Sequence, residues 1–227
     1  MTTESQVPPE TPAFGFRSEQ EHRLPALITI FLAAVLYILL PKGLIFGPRY
    51  ILPILELILL IPLAISNPMK ITRESRNFRW LSLVLIGLVN IANASNLALL
   101  IFRLVRGGNT SGRTLLYAAA AIWLTNVMVF ALWIWELDRG GPYARCSNLR
   151  RNPDFLFPQM SVPETTITKW VPTYFDYLYV SFTNALAFSP TDTMPLTPMA
   201  KFLMLVQSMV SVVTVVLVGA RAVNILH

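Results

Sequence analysis

The sequence has one cysteine, two histidines and few charged residues, which make up 13% of its 227 positions. The single cysteine, Cys146, excludes an intramolecular disulfide and a thiolate metal cluster within the chain. The histidines, His22 and His227, stand near opposite ends of the sequence, so a histidine-based metal or catalytic site is not expected. Soluble domains usually carry about a quarter charged residues, and the scarcity of charge here argues against that class.

Apolar residues take the place of the missing charge: they make up 54% of the chain, and many stand in continuous blocks. An apolar block that approaches about 20 residues is typical of a transmembrane helix. We therefore expect an all-α, multi-pass integral protein of the cell membrane (plasma or inner membrane). The net charge of +6 then indicates loop residues that orient the chain or contact lipid headgroups, and no nucleic-acid partner is expected.

Five apolar blocks predict the main membrane spans. Residues 1–23 are predicted to form a polar tail without the pattern of a cleavable secretory signal. Residues 24–113 are expected to form a three-helix membrane region and residues 114–227 a second membrane region, without an internal repeat. The predicted spans are Leu24–Leu40, Ile51–Ile65, Leu81–Leu104, Thr114–Leu137 and Met199–Leu226.

A sixth apolar stretch, Phe175–Pro190, is marginal as a span and carries Asp176 and Asn184. At ~1.5 Å per residue, a ~30 Å hydrocarbon core needs about 20 helical residues. A shorter helix suits a segment that enters the membrane and returns on the same side, which requires protein or water around the return. The prediction is a bundle of five transmembrane helices plus one re-entrant helix; the alternative is six transmembrane helices.

The stretch "DYLYVSFTNALAFSPTDTMPLTPMAK" resembles the pore segment of the potassium-channel superfamily, in which a short helix precedes a T-V-G-Y-G-D filter. Ser181-Phe182 matches the Ser-Phe of that helix, Asp192 matches the acid after the filter, and Pro195-x-Thr197 matches a Pro-x-Thr, all without a gap. The plan of the chain is also similar to a bacterial membrane family of unknown function. The resemblance implies an outer helix at 114–137, a polar loop at 138–175, a pore helix and filter-like loop at 176–197, and an inner helix at 199–226.

The filter itself departs from the channel pattern, because Ser189 and Thr191 replace its glycines and Pro190 replaces its aromatic residue. A ladder of filter carbonyls needs backbone angles that glycine adopts easily, whereas Thr191 resists them and Pro190 fixes φ. Potassium selectivity is therefore not implied. The resemblance still implies a homotetramer that passes an inorganic cation passively through rings of Ser189, Thr191 and Asp192 side chains. The alternative for these residues is an ordinary turn with Asp192 as its cap.

Polar residues of the last span recur at three- and four-residue spacing and share one helix face. In the channel interpretation, Gln207, Ser211 and Thr214 line the path below the filter. The alternative is that these side chains hydrogen-bond to neighbouring helices and hold the bundle together.

Glu56 is the single acid well inside an apolar span, and ionisable groups at that depth are costly and often functional. It is predicted to be either a structural group or an intramembrane ionisable site for a proton or cation. Asn90, Asn93 and Asn96 of the third span also share one face and predict interhelical hydrogen bonds or a solute site. Together these residues indicate an alternative function, a six-span small-solute carrier or a membrane accessory protein without a pore.

Glu136, Asp138 and Arg139 follow the fourth span and are expected to form a salt-bridge cap at the membrane interface. No nucleophile–base pair, metal motif or phosphate-binding loop accompanies them, so neither an enzyme nor a cofactor is expected.

The basic residues do not agree with a pore loop that faces outward. In that arrangement twelve of the 18 basic residues lie outside, the reverse of the positive-inside rule. Six spans, or a hairpin that opens to the cytoplasm, would restore the rule. The sequence leaves this orientation open.

Overall fold

The computed structural model describes residues 22–45, 48–66, 76–106, 111–146, 152–161, 170–186 and 192–225, and these residues are mostly helical. Short 3₁₀ turns occur at Lys42–Leu44, Asp138–Gly140 and Pro158–Met160. The helices are α1 (Leu24–Leu39), α2 (Ile51–Ser66), α3 (Arg76–Arg106), α4 (Gly112–Leu137), α5 (Pro142–Cys146), α6 (Tyr174–Leu186) and α7 (Pro198–Ile225).

Within the described residues, three helices are long and apolar enough to cross a membrane. They are Arg79–Arg106 in α3, Gly112–Gly140, which comprises α4 and the turn after it, and Pro198–Gly219 in α7. Helices α1 and α2 are apolar but shorter. At ~1.5 Å per residue, 16 residues of α1 extend about 24 Å, less than a ~30 Å hydrocarbon core. The mostly helical, membrane-embedded class is thus supported, while the finer count of spans stays a prediction.

Local side-chain bonds explain where three helices begin. The Ser111 hydroxyl accepts the Thr114 N–H at the start of α4. Before α6, the Asp176 carboxylate accepts both the N–H and the hydroxyl of Thr173, 2.7 and 2.8 Å away. Thr197 caps α7 by accepting the N–H of Ala200, and Pro198 fills the first helical position, where its missing N–H costs little.

Two clusters of apolar side chains lie toward opposite ends of the helix bundle. One includes Trp135, near the C-terminus of α4, and we call its side of the bundle the Asp138 end. The other includes Leu115, near the N-terminus of α4, and marks the Leu115 end. Helices α1, α2, α3, α4 and α7 contribute side chains to both clusters, so each extends between the two ends.

Helix α6 contributes apolar side chains only to the cluster of the Asp138 end. Near its start, the Tyr177 hydroxyl donates to Asp138, just past the last residue of α4. Further along, Phe182 packs edge-on against Trp123, with 5.7 Å between ring centroids. Helix α6 therefore runs antiparallel to α4 and ends beside its middle.

The chain that follows α6 contacts the Asp138 end again. Strand β2 (Met194–Pro195) pairs antiparallel with strand β1 (Phe155–Leu156), and Leu196 donates its N–H to the Asp154 carbonyl. Helices α6 and α7 consequently begin at the same end of the bundle. This two-stranded pairing is absent from the all-α prediction, because two-residue strands leave no periodic pattern in a sequence.

Candidate functional site

A cluster of buried polar side chains lies at the end of α4; we call it the Asp138 cluster, and its members are Asp138, Arg139, Arg145, Asp154 and Tyr177. One oxygen of the Asp138 carboxylate accepts the N–H groups of Asp154 and Phe155, at 2.9 and 3.3 Å. The other accepts the Tyr177 hydroxyl at 2.7 Å. Hydrogen bonds to an ionised acceptor are stronger than neutral ones, so this carboxylate joins α4, β1 and α6 firmly.

Asp154 joins the same end to the start of α7. Its carboxylate accepts the Arg139 N–H and the Thr197 hydroxyl, each at 2.8 Å. Its carbonyl accepts the Leu196 N–H at 2.9 Å. The Pro195-x-Thr197 motif thus has a physical role here: Thr197 caps α7 and ties it to a loop 43 residues earlier.

The Arg145 side chain caps the C-terminus of α4. Its guanidinium donates to the carbonyls of Trp135 and Asp138, at 2.6 and 2.8 Å, where a helix has unpaired carbonyls and partial negative charge. The same guanidinium stands 5.1 Å from the centroid of the Tyr177 ring, within the range of a cation–π contact.

The backbone turns sharply at this point. Arg139, Gly140 and Gly141 all have positive φ, of 53°, 84° and 100°. A Cβ at Gly141 would stand 2.9 Å from the Glu136 carbonyl oxygen, so a side chain does not fit there. The N–H of Arg139 donates to Asp154, which helps to offset the cost of a left-handed conformation in a residue with a side chain.

The structure buries the residues of the predicted salt-bridge cap. Glu136 and Asp138 are fully buried and Arg139 is 3% exposed. Asp138 is held by hydrogen bonds from backbone N–H groups and from the Tyr177 hydroxyl. Among the described residues no three His, Cys, Asp or Glu side chains come together as metal ligands. Through these contacts the Asp138 cluster holds the end of α4, strand β1 and the first residues of α6 and α7 together, and we call this contact network the clasp.

A second polar layer joins α6 to α7. The Gln207 side-chain amide donates to the carbonyl and the hydroxyl of Ser181, at 2.8 and 2.7 Å. Its carbonyl oxygen accepts from Asn184 at 2.9 Å. The Ser181 hydroxyl donates to the Val127 carbonyl on α4 at 2.6 Å, so three helices meet at this layer.

Hydroxyls of α7 satisfy the last carbonyls of α6. The Ser208 hydroxyl donates to the Asn184 carbonyl at 3.4 Å, and the Ser211 hydroxyl donates to that of Ala185. The Trp123 indole in turn donates to Ser211 at 2.6 Å. A helix that ends away from water needs such partners, since its final carbonyls have none within the helix.

The face of α7 that was predicted to line a pore is therefore a contact between helices. Gln207 and Ser211 are fully buried, and Thr214 is 1% exposed and donates to the Val210 carbonyl of its own helix. A side chain that lines an aqueous path must be open to water, and these are enclosed within one chain. The contacts favour the alternative, in which Gln207 and Ser211 hydrogen-bond to neighbouring helices.

The three predicted filter residues are described only in part. Asp192 is exposed, two residues before strand β2 and close to the Asp138 end. Ser189 and Thr191 lie outside the described residues.

Glu56 faces a small cavity among α1, α2, α3 and α4. Asn93 and Asn96 of the third predicted span line the same cavity, as do Tyr37 and Thr125. The cavity has room for about one water molecule. Asn90 is not part of this lining. The structure thus brings Glu56 together with two of the three predicted asparagines.

Arg145 and Asp154 are not identified from the sequence, because residues 138–175 are interpreted as one polar loop. Tyr177, which lies in the predicted pore helix, is not identified either. The Gly140-Gly141-Pro142 run was a usable signal, since it indicated a helix end with unusual backbone angles. The pairing of Asp154 with Thr197 spans 43 positions and leaves no local signal in a single sequence.

Comparison with known proteins gives no match to a family model, to a curated protein or to a solved structure.

Proposed function

We propose that the chain is one subunit of a pore-loop membrane protein that lets a small cation pass passively. In this proposal α1, α2, α3, α4 and α7 cross the membrane, whereas α6 enters it from the Asp138 end and residues 192–197 lie at that same end. Four copies around an axis are needed, because one such unit encloses no pore.

The position of α6 is the observation that carries the proposal. Its side chains join only one of the two apolar clusters, and the chain after it is hydrogen-bonded at the end where α6 began. A helix that crossed the whole membrane would have its two flanking segments at opposite ends. The arrangement supports a re-entrant hairpin rather than six full spans.

The polar bonds around the end of α6 give independent support. The Ser211 hydroxyl, which donates to the Ala185 carbonyl near the end of α6, stands fourteen residues after Thr197, about 21 Å along α7. A helix end at that depth is far from either membrane surface if the Asp138 end is near one of them. The hydroxyls of Ser208 and Ser211 supply the partners that such an end requires.

The electrostatics of α6 suit a cation. The C-terminal end of a helix carries partial negative charge, and here that end is the one deepest in the bundle. Asp192 adds an exposed carboxylate near the Asp138 end, and rings of carboxylates favour cations.

The proposal places the wall of the path below the hairpin on the opposite face of α7. That face is exposed in the single chain, and after Lys201 its exposed side chains are apolar: Phe202, Leu205, Met209, Val212, Val213 and Val216. An apolar constriction closes a pore when water leaves it, so this face suits a gate better than an ion-binding wall.

The first arm of the test determines on which side each end of the hairpin lies. Ser161 and Met194 are exposed on either side of α6 in the sequence, and each is changed to Cys in a Cys146→Ser background. We expect a membrane-impermeant maleimide to label both from the same face. Ser111→Cys, at the exposed start of α4, serves as the control and is expected to label from the other face. Labelling of Ser161→Cys and Met194→Cys from opposite faces would refute the hairpin.

The second arm measures function. The purified protein is expected to migrate as a tetramer and to pass a cation current in a planar bilayer. Asp192→Asn should reduce the preference for cations over anions, whereas Asp192→Glu, which keeps the charge, should preserve it. If the tetramer passes a current whose cation preference is unchanged in Asp192→Asn, this carboxylate does not select the ion. If the protein passes no current, the channel is excluded.

A small-solute carrier is the second candidate, and the Glu56 cavity is the observation that favours it. Its room for about one water molecule fits an ion better than a solute with several heavy atoms, which places the carrier second. A carrier would show pH-dependent uptake that Glu56→Gln abolishes, without a current.

A further inference from the structure

The Glu56 cavity lies between α1, α2, α3 and α4, apart from the hairpin and from the Asp138 cluster. Glu56 is 1% exposed and Asn96 is 2% exposed. The Oε2 atom of Glu56 and the Oδ1 atom of Asn96 accept no hydrogen bond from any residue that the structure describes. Buried oxygens without a donor are costly, so two of them beside one cavity indicate that something else occupies it.

The donor set consists of hard oxygen ligands. One carboxylate, the amide oxygens of Asn93 and Asn96, and the hydroxyls of Tyr37 and Thr125 border the space. Oxygen donors of these kinds suit hard cations, and no thiolate or imidazole is among them.

Charge balance selects a monovalent ion. Tyr37 from α1 is the one titratable side chain besides Glu56 in the lining, and α3 and α4 contribute only amides and a hydroxyl. Arg49 donates to the carbonyl of Leu40, a lining residue, but it makes no ion pair with Glu56 in the described part of the chain. A monovalent cation neutralises the single carboxylate, whereas a divalent one would leave a net positive charge among apolar helices.

We propose that the Glu56 cavity binds one dehydrated Na⁺-sized cation, with the Glu56 carboxylate and the Asn96 amide oxygen as ligands. The space for about one water molecule fits a bare ion of this size and excludes a hydrated one. A proton and the cation compete for the same carboxylate: when the cation binds, the carboxyl group releases one proton to solvent, and the charge in the cavity is unchanged.

The test uses the purified full-length chain in detergent, with NaCl compared against choline chloride at equal ionic strength and pH 8. The melting temperature, followed by tryptophan fluorescence, should rise and saturate with Na⁺, by about 5–10 °C once Na⁺ exceeds its Kd a hundredfold. Lowering the pH to 5 should reduce the rise, because protons then occupy the carboxylate.

Two variants and one matched control locate the effect. Glu56→Gln is nearly isosteric and removes the charge, and Asn96→Ala removes the amide oxygen; both should abolish the response to Na⁺. Asn90→Ala, on the same helix but outside the cavity lining, should keep it.

Several outcomes would contradict the proposed cation site at Glu56. Equal melting temperatures in Na⁺ and choline at every pH exclude a cation. A Na⁺ response that survives in Glu56→Gln places the ion elsewhere. A melting temperature that rises on acidification in choline and ignores Na⁺ assigns the carboxylate to a proton alone. None of these measurements involves a current, so the site and the proposed channel can fail separately.

Discussion

Substitution Tyr177→Phe removes one oxygen atom from the Asp138 cluster and leaves the ring in place. The Tyr177 hydroxyl donates to the Asp138 carboxylate at 2.7 Å, and both side chains are fully buried. The bond fixes the first turn of α6 to the end of α4, so the substitution tests whether the Asp138 cluster holds α6 in place.

The size of the effect follows from the partners that remain. A hydrogen bond to a charged group contributes about 1.5–3 kcal/mol. In the variant, the Asp138 carboxylate still accepts hydrogen bonds from the N–H groups of Asp154 and Phe155, so it is not left without donors. We therefore expect the lower part of the range, about 1.5–2 kcal/mol, which lowers the melting temperature of a chain of this length by about 3–8 °C.

Thermal unfolding in detergent measures the loss, and Tyr179→Phe is the matched control. Tyr179 lies on the same helix but is 53% exposed, so its loss should be within about 0.5 kcal/mol of zero. A double-mutant cycle with Asp138→Asn should give a coupling energy of about 0.5–3 kcal/mol. Equal melting temperatures for the two tyrosine variants, or a coupling near zero, would refute the clasp.

Two further substitutions test the fold. Gly141→Ala should destabilise by about 1–3 kcal/mol, because φ is 100° and the new Cβ would stand 2.9 Å from a carbonyl oxygen, whereas Gly219→Ala meets nothing within 4 Å and should be neutral or stabilising. If both variants melt alike, the turn after α4 is not constrained as described. Gln207→Leu removes three hydrogen bonds to α6 and should cost about 1–2 kcal/mol at ~0.6 kcal/mol each, while Met209→Leu on the exposed face should change little. A loss in Met209→Leu that matched the loss in Gln207→Leu would contradict the polar layer.

The helices were the most predictable part of the fold, because each is an apolar block with a recognisable end. The prediction of an outer helix at 114–137 corresponds to Gly112–Leu137, and that of an inner helix at 199–226 to Pro198–Ile225. The short helix that the channel resemblance implies within 176–197 corresponds to Tyr174–Leu186. Hydropathy and capping residues carry this information locally, so one sequence is enough.

The partners of the polar residues were not predictable in the same way. The spacing of Gln207, Ser211 and Thr214 showed that they share a face, but not that α4 and α6 cover it. A polar stripe on a membrane helix has two uses, water and neighbouring helices, and periodicity does not distinguish them. Asp154 was missed for a related reason, since its partners come from chain segments far apart in sequence.

The limited packing of α6 has a consequence for how the molecule can move. Five helices are anchored in both apolar clusters, but α6 is anchored in only one. Helix α6 and the strand pair at the Asp138 end can therefore loosen as a local cooperative unit, while the Leu115 end stays packed. Any rearrangement at the Asp138 end would then be confined to one half of the protein, with the other half as its rigid frame.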